Sequence, residues 1–214
     1  QLIKDEEKKF LYSKLNLNFL KLQIENEYNY KDKIKIGVTN LILNKLKRII
    51  TYKVYDDSFK FNFFDKIENP KFYYEGNINF KPFYSSLDGN TDTLNLSYLF
   101  DSTTIISQLF KTELFYNKNI SFELNINANK IQNFSNFVNV ILSSKIEEGL
   151  FDIDNTKFEW KNHAKFELLN SLIFIKDNEL ILDGVSKINV IDHNAIYKFL
   201  LTPKNLRKKI KNID

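Results

Sequence analysis

Apolar and polar residues alternate along most of this chain, most cleanly between residues 119 and 190. Ile120, Phe122, Leu124, Ile126 and Ala128 fall on one parity, and Ser121, Glu123, Asn125, Asn127 and Asn129 fall on the other. A strand turns successive side chains to opposite faces, so this segment has one apolar face and one wet face. The pattern returns at Phe166, Leu168, Leu172 and Phe174, and less cleanly at Ile188 and Val190. The reading is a long antiparallel meander, with strands of up to about 10 residues and about 33 Å.

Upstream the same period holds with interruptions. Leu15, Leu17 and Phe19 alternate with Asn16 and Asn18, and the parity then switches to Leu20, Leu22 and Ile24, which predicts a bulge. Ile34, Ile36 and Val38 follow a polar turn, and residues 41–55 are read as strand although Leu41, Ile42, Leu46 and Ile49 also suit a helix. Phe59, Phe61 and Phe63 alternate with Lys60 and Asn62. Phe72, Tyr74, Ile78 and Phe80 share a parity in the next strand, which Pro82 ends because proline donates nothing to a ladder. Asp88-Gly89-Asn90, Gly149, Lys176-Asp177-Asn178 and Asp183-Gly184 read as turns.

The period changes at Ile105, Ile106, Leu109, Phe110 and Leu114, which predicts a helix over 102–115 capped by Asp101 or Ser102. Asp192 caps a second, short helix bearing Ile196, Phe199 and Leu200, and Thr202-Pro203 starts another turn. The expected fold is therefore mainly β: a long antiparallel, curved meander sheet, or β-groove, with one inserted helix and short C-terminal helices. A single domain is expected over 10–201. A charged linker or frayed start precedes it at 1–9, and a basic helix or tail follows at 202–214.

An area estimate frames the functional question. About ten strands spaced about 4.8 Å and about 33 Å long make a face of roughly 1,600 Å². A 14-residue helix, about 21 Å by about 10 Å, shields roughly 200 Å² of it. Monomers seldom expose contiguous apolar patches beyond about 300–600 Å². Either the sheet closes as a sandwich or barrel, serving as a structural or protein-binding module, or it forms a trough whose lining meets something apolar.

Composition and charge narrow this further. The chain has 214 residues and neither Cys nor Met, which removes disulfides, thiolate metal sites and a Cys nucleophile. Opening at Gln1, it is read as a piece of a longer protein or a processed form. Abundant Asn, Ile, Lys, Phe and Tyr point to an AT-rich, bacterial genome. The net charge is +4, and the tail after Leu200 carries five basic residues (Lys204, Arg207, Lys208, Lys209, Lys211) against Asp214. That excess leaves the body neutral, without the basic stripe of a nucleic-acid-binding face, so no nucleic-acid partner is expected. The tail either touches anionic headgroups or is a solvated helix end.

Candidate chemistry is sparse. His163 and His193 lie far apart and are read as surface or capping residues. Asp152 and Asp154 share a strand face without a neighbouring acid or ligand pattern, and are read as solvated. Trp160 is read as a core aromatic or a rim residue. No catalytic residue, metal ligand or cofactor is expected.

Several stretches carry a family resemblance: Phe72-Tyr73-Tyr74-Glu75-Gly76 running to Lys81-Pro82-Phe83, the predicted helix at 109–114, and residues 119–126. To these are added Glu148-Gly149-Leu150-Phe151-Asp152-Ile153, Phe158-Glu159-Trp160-Lys161, Glu179-Leu180-Ile181-Leu182-Asp183-Gly184, Ile196-Tyr197-Lys198-Phe199-Leu200 and Arg207-Lys208-Lys209. As an ensemble, from Phe72 to Ile210, the chain resembles the AsmA-like family, bacterial relatives of bridge-like lipid-transfer proteins. The resemblance implies an envelope protein anchored in the inner membrane by an N-terminal helix. It implies a periplasmic β-groove that carries phospholipid acyl chains towards the outer membrane and supports outer-membrane assembly. The family offers no catalytic residues, and its lining is set by strand position. The expected lining here is Phe72, Tyr74, Ile78, Phe80, Ile120, Phe122, Leu124, Ile126, Phe166, Leu168, Leu172 and Phe174.

Overall fold

Strand follows strand through short turns, as the period-two pattern dictates. The computed structural model describes residues 1–31, 33–43, 45–96, 119–147, 150–176 and 179–213. The strands are β1 (Leu2–Asp5), β2 (Phe10–Leu17), β3 (Leu22–Asn29), β4 (Lys35–Leu43), β5 (Leu46–Val54), β6 (Ser58–Phe64), β7 (Phe72–Phe80) and β8 (Phe83–Leu94). After them come β9 (Ile120–Ile131), β10 (Phe134–Glu147), β11 (Leu150–Asp152), β12 (Lys157–Trp160), β13 (Ala164–Lys176), β14 (Glu179–Val190) and β15 (Asn212–Ile213). One α-helix, α1 (His193–Phe199), follows β14, capped by the Asp192 carboxylate as expected. The fold is mainly β and the pairings are antiparallel. The predicted helix at 102–115 lies outside the described residues.

The chain divides into two compact units, Gln1–Asn90 and Thr91–Asp214. In the first unit the strands pair in chain order. From β1 to β7 the registers run without a shift. Residues 2–5, expected to fray, form β1 against β2. The parity switch at 19–20 is not a bulge. It is a hairpin: a 3-10 turn at Asn18–Leu20 and Lys21 at φ 49° connect β2 to β3, with Leu17 opposite Leu22. Residues 41–55 are strand, as read, but split by a tight turn between β4 and β5.

The second unit is less regular. Its pairing shifts register three times, between Phe134 and Val138, between Val138 and Ile141, and between Leu169 and Leu172. Asn139 and Asn170 lie within these shifts at φ 51° and 48°, the left-handed region that asparagine tolerates better than most residues. Between β10 and β13 the strand position is shared by two short pieces, β11 and β12. At the third shift Asn170 and Ser171 stand opposite Gly184 alone. A Cβ on Gly184 would lie 2.7 Å from the Ser171 Cα, so only glycine fits. Gly89 and Gly184, read as turns, are thus both inside strands.

The basic tail is not a helix. It makes a 3-10 turn at Lys204–Leu206 and returns to pair β15 with β14. Tyr197 OH donates to the Lys208 carbonyl at 2.8 Å and accepts the Lys208 N–H at 3.1 Å, and Val190 N–H donates to the Lys211 carbonyl at 2.7 Å.

Candidate apolar binding surfaces

In the first unit the register sorts side chains onto two faces. Phe59 stands opposite Ile78, Phe63 opposite Tyr74, Ile50 opposite Phe63 and Tyr52 opposite Phe61. Leu41 stands opposite Ile24, and Ile24 opposite Leu15. One face therefore carries leucines and isoleucines at β2–β4 and aromatics at β5–β7. The expected lining residues Phe72, Tyr74, Ile78 and Phe80 all belong to it. The aromatics touch in rows. Tyr28 and Tyr52 stack at 6.3 Å, Tyr52 and Phe59 lie 5.7 Å apart, Phe59 and Phe61 5.7 Å, and Phe63 and Phe72 5.1 Å. The Arg48 guanidinium sits 5.1 Å from the Phe72 ring centre.

Glycines let these rings lie flat across the next strand. Gly37 leaves room for the Tyr52 ring, Gly76 for Phe61 and Gly89 for Tyr74; a Cβ at each would come within 2.1–2.3 Å of the ring. Across Gly37, Tyr52 OH reaches β3 and donates to Asn26 Oδ1 at 2.8 Å, where Thr39 Oγ1 also donates at 2.8 Å. Burial raises the Tyr52 phenol above its ordinary pKa. Within this unit no second layer of described residues packs on the aromatic face. Its side chains are half-buried or exposed, with Phe80 49% accessible.

The second unit buries the centre of its apolar face. Leu124, Ile126 and Ala128 on β9 stand opposite Ser144, Leu142 and Val140 on β10, and all six are buried. Ile120 and Phe122 share their face and are half-buried. A hollow of about 480 Å³ lies over this face, with Val140, Leu142, Ile153, Phe158, Leu168 and Ile173 among its walls. Phe158 stacks on Phe166 at 4.8 Å, and Phe137 meets Phe166 edge-on at 6.3 Å.

The expected lining is only partly assembled here. Leu168 and Ile173 both line the hollow, so the shift at Asn170 flips the parity of β13. Leu172 and Phe174, expected beside Phe166 and Leu168, therefore turn to the opposite face. Leu124 and Ile126 are buried, at 8% and 7% accessible. Tyr28, Tyr52, Phe59, Phe61 and Phe63 were absent from the expected set, although the Phe59-Phe61-Phe63 alternation carried the signal.

The remaining candidates brace the structure. Asp152 Oδ1 accepts the Asp154 N–H at 2.7 Å and Asp154 Oδ1 accepts the Ser171 N–H at 2.5 Å, so this pair stitches the broken strand to the β13 bulge. Trp160 packs edge-on against Phe199 at 4.9 Å and His163 at 5.4 Å. His163 Nδ1 lies 3.9 Å from Asp192 Oδ2. Among the described residues no three His, Asp or Glu side chains are placed to hold a metal ion, and no helix is long and apolar enough to cross a membrane.

Compared with protein-family models, curated proteins and solved structures, the chain matches none. The described residues form an extended β-sheet module with a half-buried aromatic face in one unit and an apolar hollow, open at the side, in the other.

Proposed function

We propose that the protein is a non-enzymatic envelope module whose open sheet face takes up phospholipid acyl chains, as in the AsmA-like proteins it resembles. The observation that carries this reading is the apolar face of the first unit, on which no second layer of that unit's described residues packs. Eight strands at about 4.8 Å spacing, most about 27 Å long, make a face of about 1,000 Å². Its apolar part surrounds a polar pair, Asn26 and Thr39, and is to be set against the patch of about 300–600 Å² that a monomer ordinarily exposes. Aliphatic and aromatic side chains solvate acyl chains without directional bonds. Each methylene removed from water contributes about 0.8 kcal/mol, so affinity grows with chain length while selectivity stays low. In this reading the protein works in the periplasm, held to the inner membrane by a segment outside this sequence. The basic tail then meets anionic headgroups at about 1 kcal/mol per side chain near the surface.

The experiment is purification of the full chain without detergent, followed by mass spectrometry of extracted lipid. Phospholipid in near-stoichiometric amount is expected. A lipid-free protein that also fails to take phospholipid from vesicles would overturn the reading.

A further inference from the structure

The hollow in the second unit differs in kind from the open face of the first. Its floor is buried: Val140 is 3% accessible, Ile153 and Ile173 5%, and Leu142 7%. Its rim is not, since Phe134 and Leu182 are each 59% accessible. The hollow is therefore open at the side and closed beneath. Thr156 is the one polar side chain among its described walls. That hydroxyl is already engaged on both sides, donating to the Ser143 carbonyl at 3.0 Å and accepting the Ser143 N–H at 3.2 Å. No described wall residue offers a free polar atom to a headgroup, so only apolar surface meets a ligand there.

We infer that this hollow is a seat for a single aliphatic chain, entered methyl end first, with the polar end of the ligand left outside the rim. Volume sets the length. An apolar hollow of about 150 Å³ holds one six-carbon ring. At about 480 Å³, this one holds a chain of roughly eighteen to twenty carbons on the same scale. The seat is separate from the open face of the first unit and stands whether or not that face carries lipid. A free fatty acid and one tail of a phospholipid present the same chemistry to it.

The test is a fluorescence titration of the full, delipidated chain with cis-parinaric acid, competed by saturated fatty acids of eight to twenty-two carbons and, separately, by phosphatidylglycerol vesicles. One site per chain is expected. Competitor affinity should rise about fourfold per added methylene and level off at about eighteen to twenty carbons, where the hollow is full. Competition by free acids alone would assign the seat to single-chain ligands; competition by vesicles as well would extend it to phospholipid tails. Leu168→Trp and Leu182→Trp fill the hollow from its wall and its rim. Each should weaken binding at least tenfold while the thermal melt by circular dichroism stays cooperative. The seat is overturned by binding without a chain-length limit, by several equivalent sites, or by folded filling variants that bind as before. Phospholipid co-purifying with a chain that shows no such site would leave the conduit reading standing and remove only this inference.

Discussion

Phe61 and Leu124 occupy comparable places, each mid-strand on the apolar face of its unit, yet Phe61 is half-buried and Leu124 is core. The two units are built from the same hairpins and the same residue types. What separates them is regularity. From β1 to β7 the registers run unshifted, and within that unit the face stays uncovered. From β9 onward three register shifts and a strand split in two interrupt the described pairings, and bulges of this kind increase local twist. The irregular unit holds the hollow, and the regular one presents a half-buried aromatic face.

The largest expected effect is a charge placed in each interior. Leu124→Asp buries a carboxylate with no partner and should destabilise the second unit by about 3 kcal/mol or more. Phe61→Asp should change stability by about 1 kcal/mol, because that side chain already meets solvent. Trp160 is the one tryptophan and lies in the second unit. Its fluorescence in urea should therefore report the first substitution and miss the second, while circular dichroism follows both. Equal losses would erase the contrast between the units.

Glycine substitutions sharpen the comparison on a smaller scale. Gly184→Ala drives a Cβ into the Ser171 backbone and should cost about 1–3 kcal/mol. Gly76→Ala meets only the Phe61 ring, which can swing into the open space above the sheet, so a loss under about 1 kcal/mol is expected. Urea midpoints of the two variants give the comparison directly, and a larger loss at Gly76 would mean that the first unit is packed as tightly as the second.

Acid should produce the smallest difference. In the second unit Lys165 and Lys157 hold Glu159 and Glu167 below the ordinary glutamate range, and Asn129, Lys130 and Thr93 lower Asp92. Carboxylates lowered in the folded state stabilise it above their unfolded pKa. That contribution is lost as pH falls through the lower folded values. Asp92 is exposed and the two glutamates lie half-buried beside lysines that reach solvent, so the urea midpoint followed by Trp160 should fall only slightly below about pH 4, and less so in high salt.

Much of this was legible in the sequence. Alternation marked the strands and the shared face of Phe72, Tyr74, Ile78 and Phe80, and an acidic residue ahead of helical spacing marked the Asp192 cap. What stayed hidden were places where one residue carries geometry that no period records. Asn170 at φ 48° turns Leu172 and Phe174 away from Leu168, and nothing in Leu-Leu-Asn-Ser-Leu announces a shift. Gly89 and Gly184 looked like turns because glycine usually punctuates strands; here each makes room for a side chain from the neighbouring strand. The tail looked helical from its charge and its proline, but its backbone is claimed by Tyr197 and β14.

The central claim is that the aromatic face of the first unit, and not its reverse, holds apolar chains. Phe61 and Asn62 are adjacent in sequence and face opposite sides of the same strand. A photoreactive benzoylphenylalanine placed at one position or the other in the full chain, irradiated in cells and analysed by mass spectrometry, separates the two faces. Lipid adducts at position 61 and none at 62 are predicted; equal adducts at both positions, or none at 61 in a folded protein, would contradict the claim.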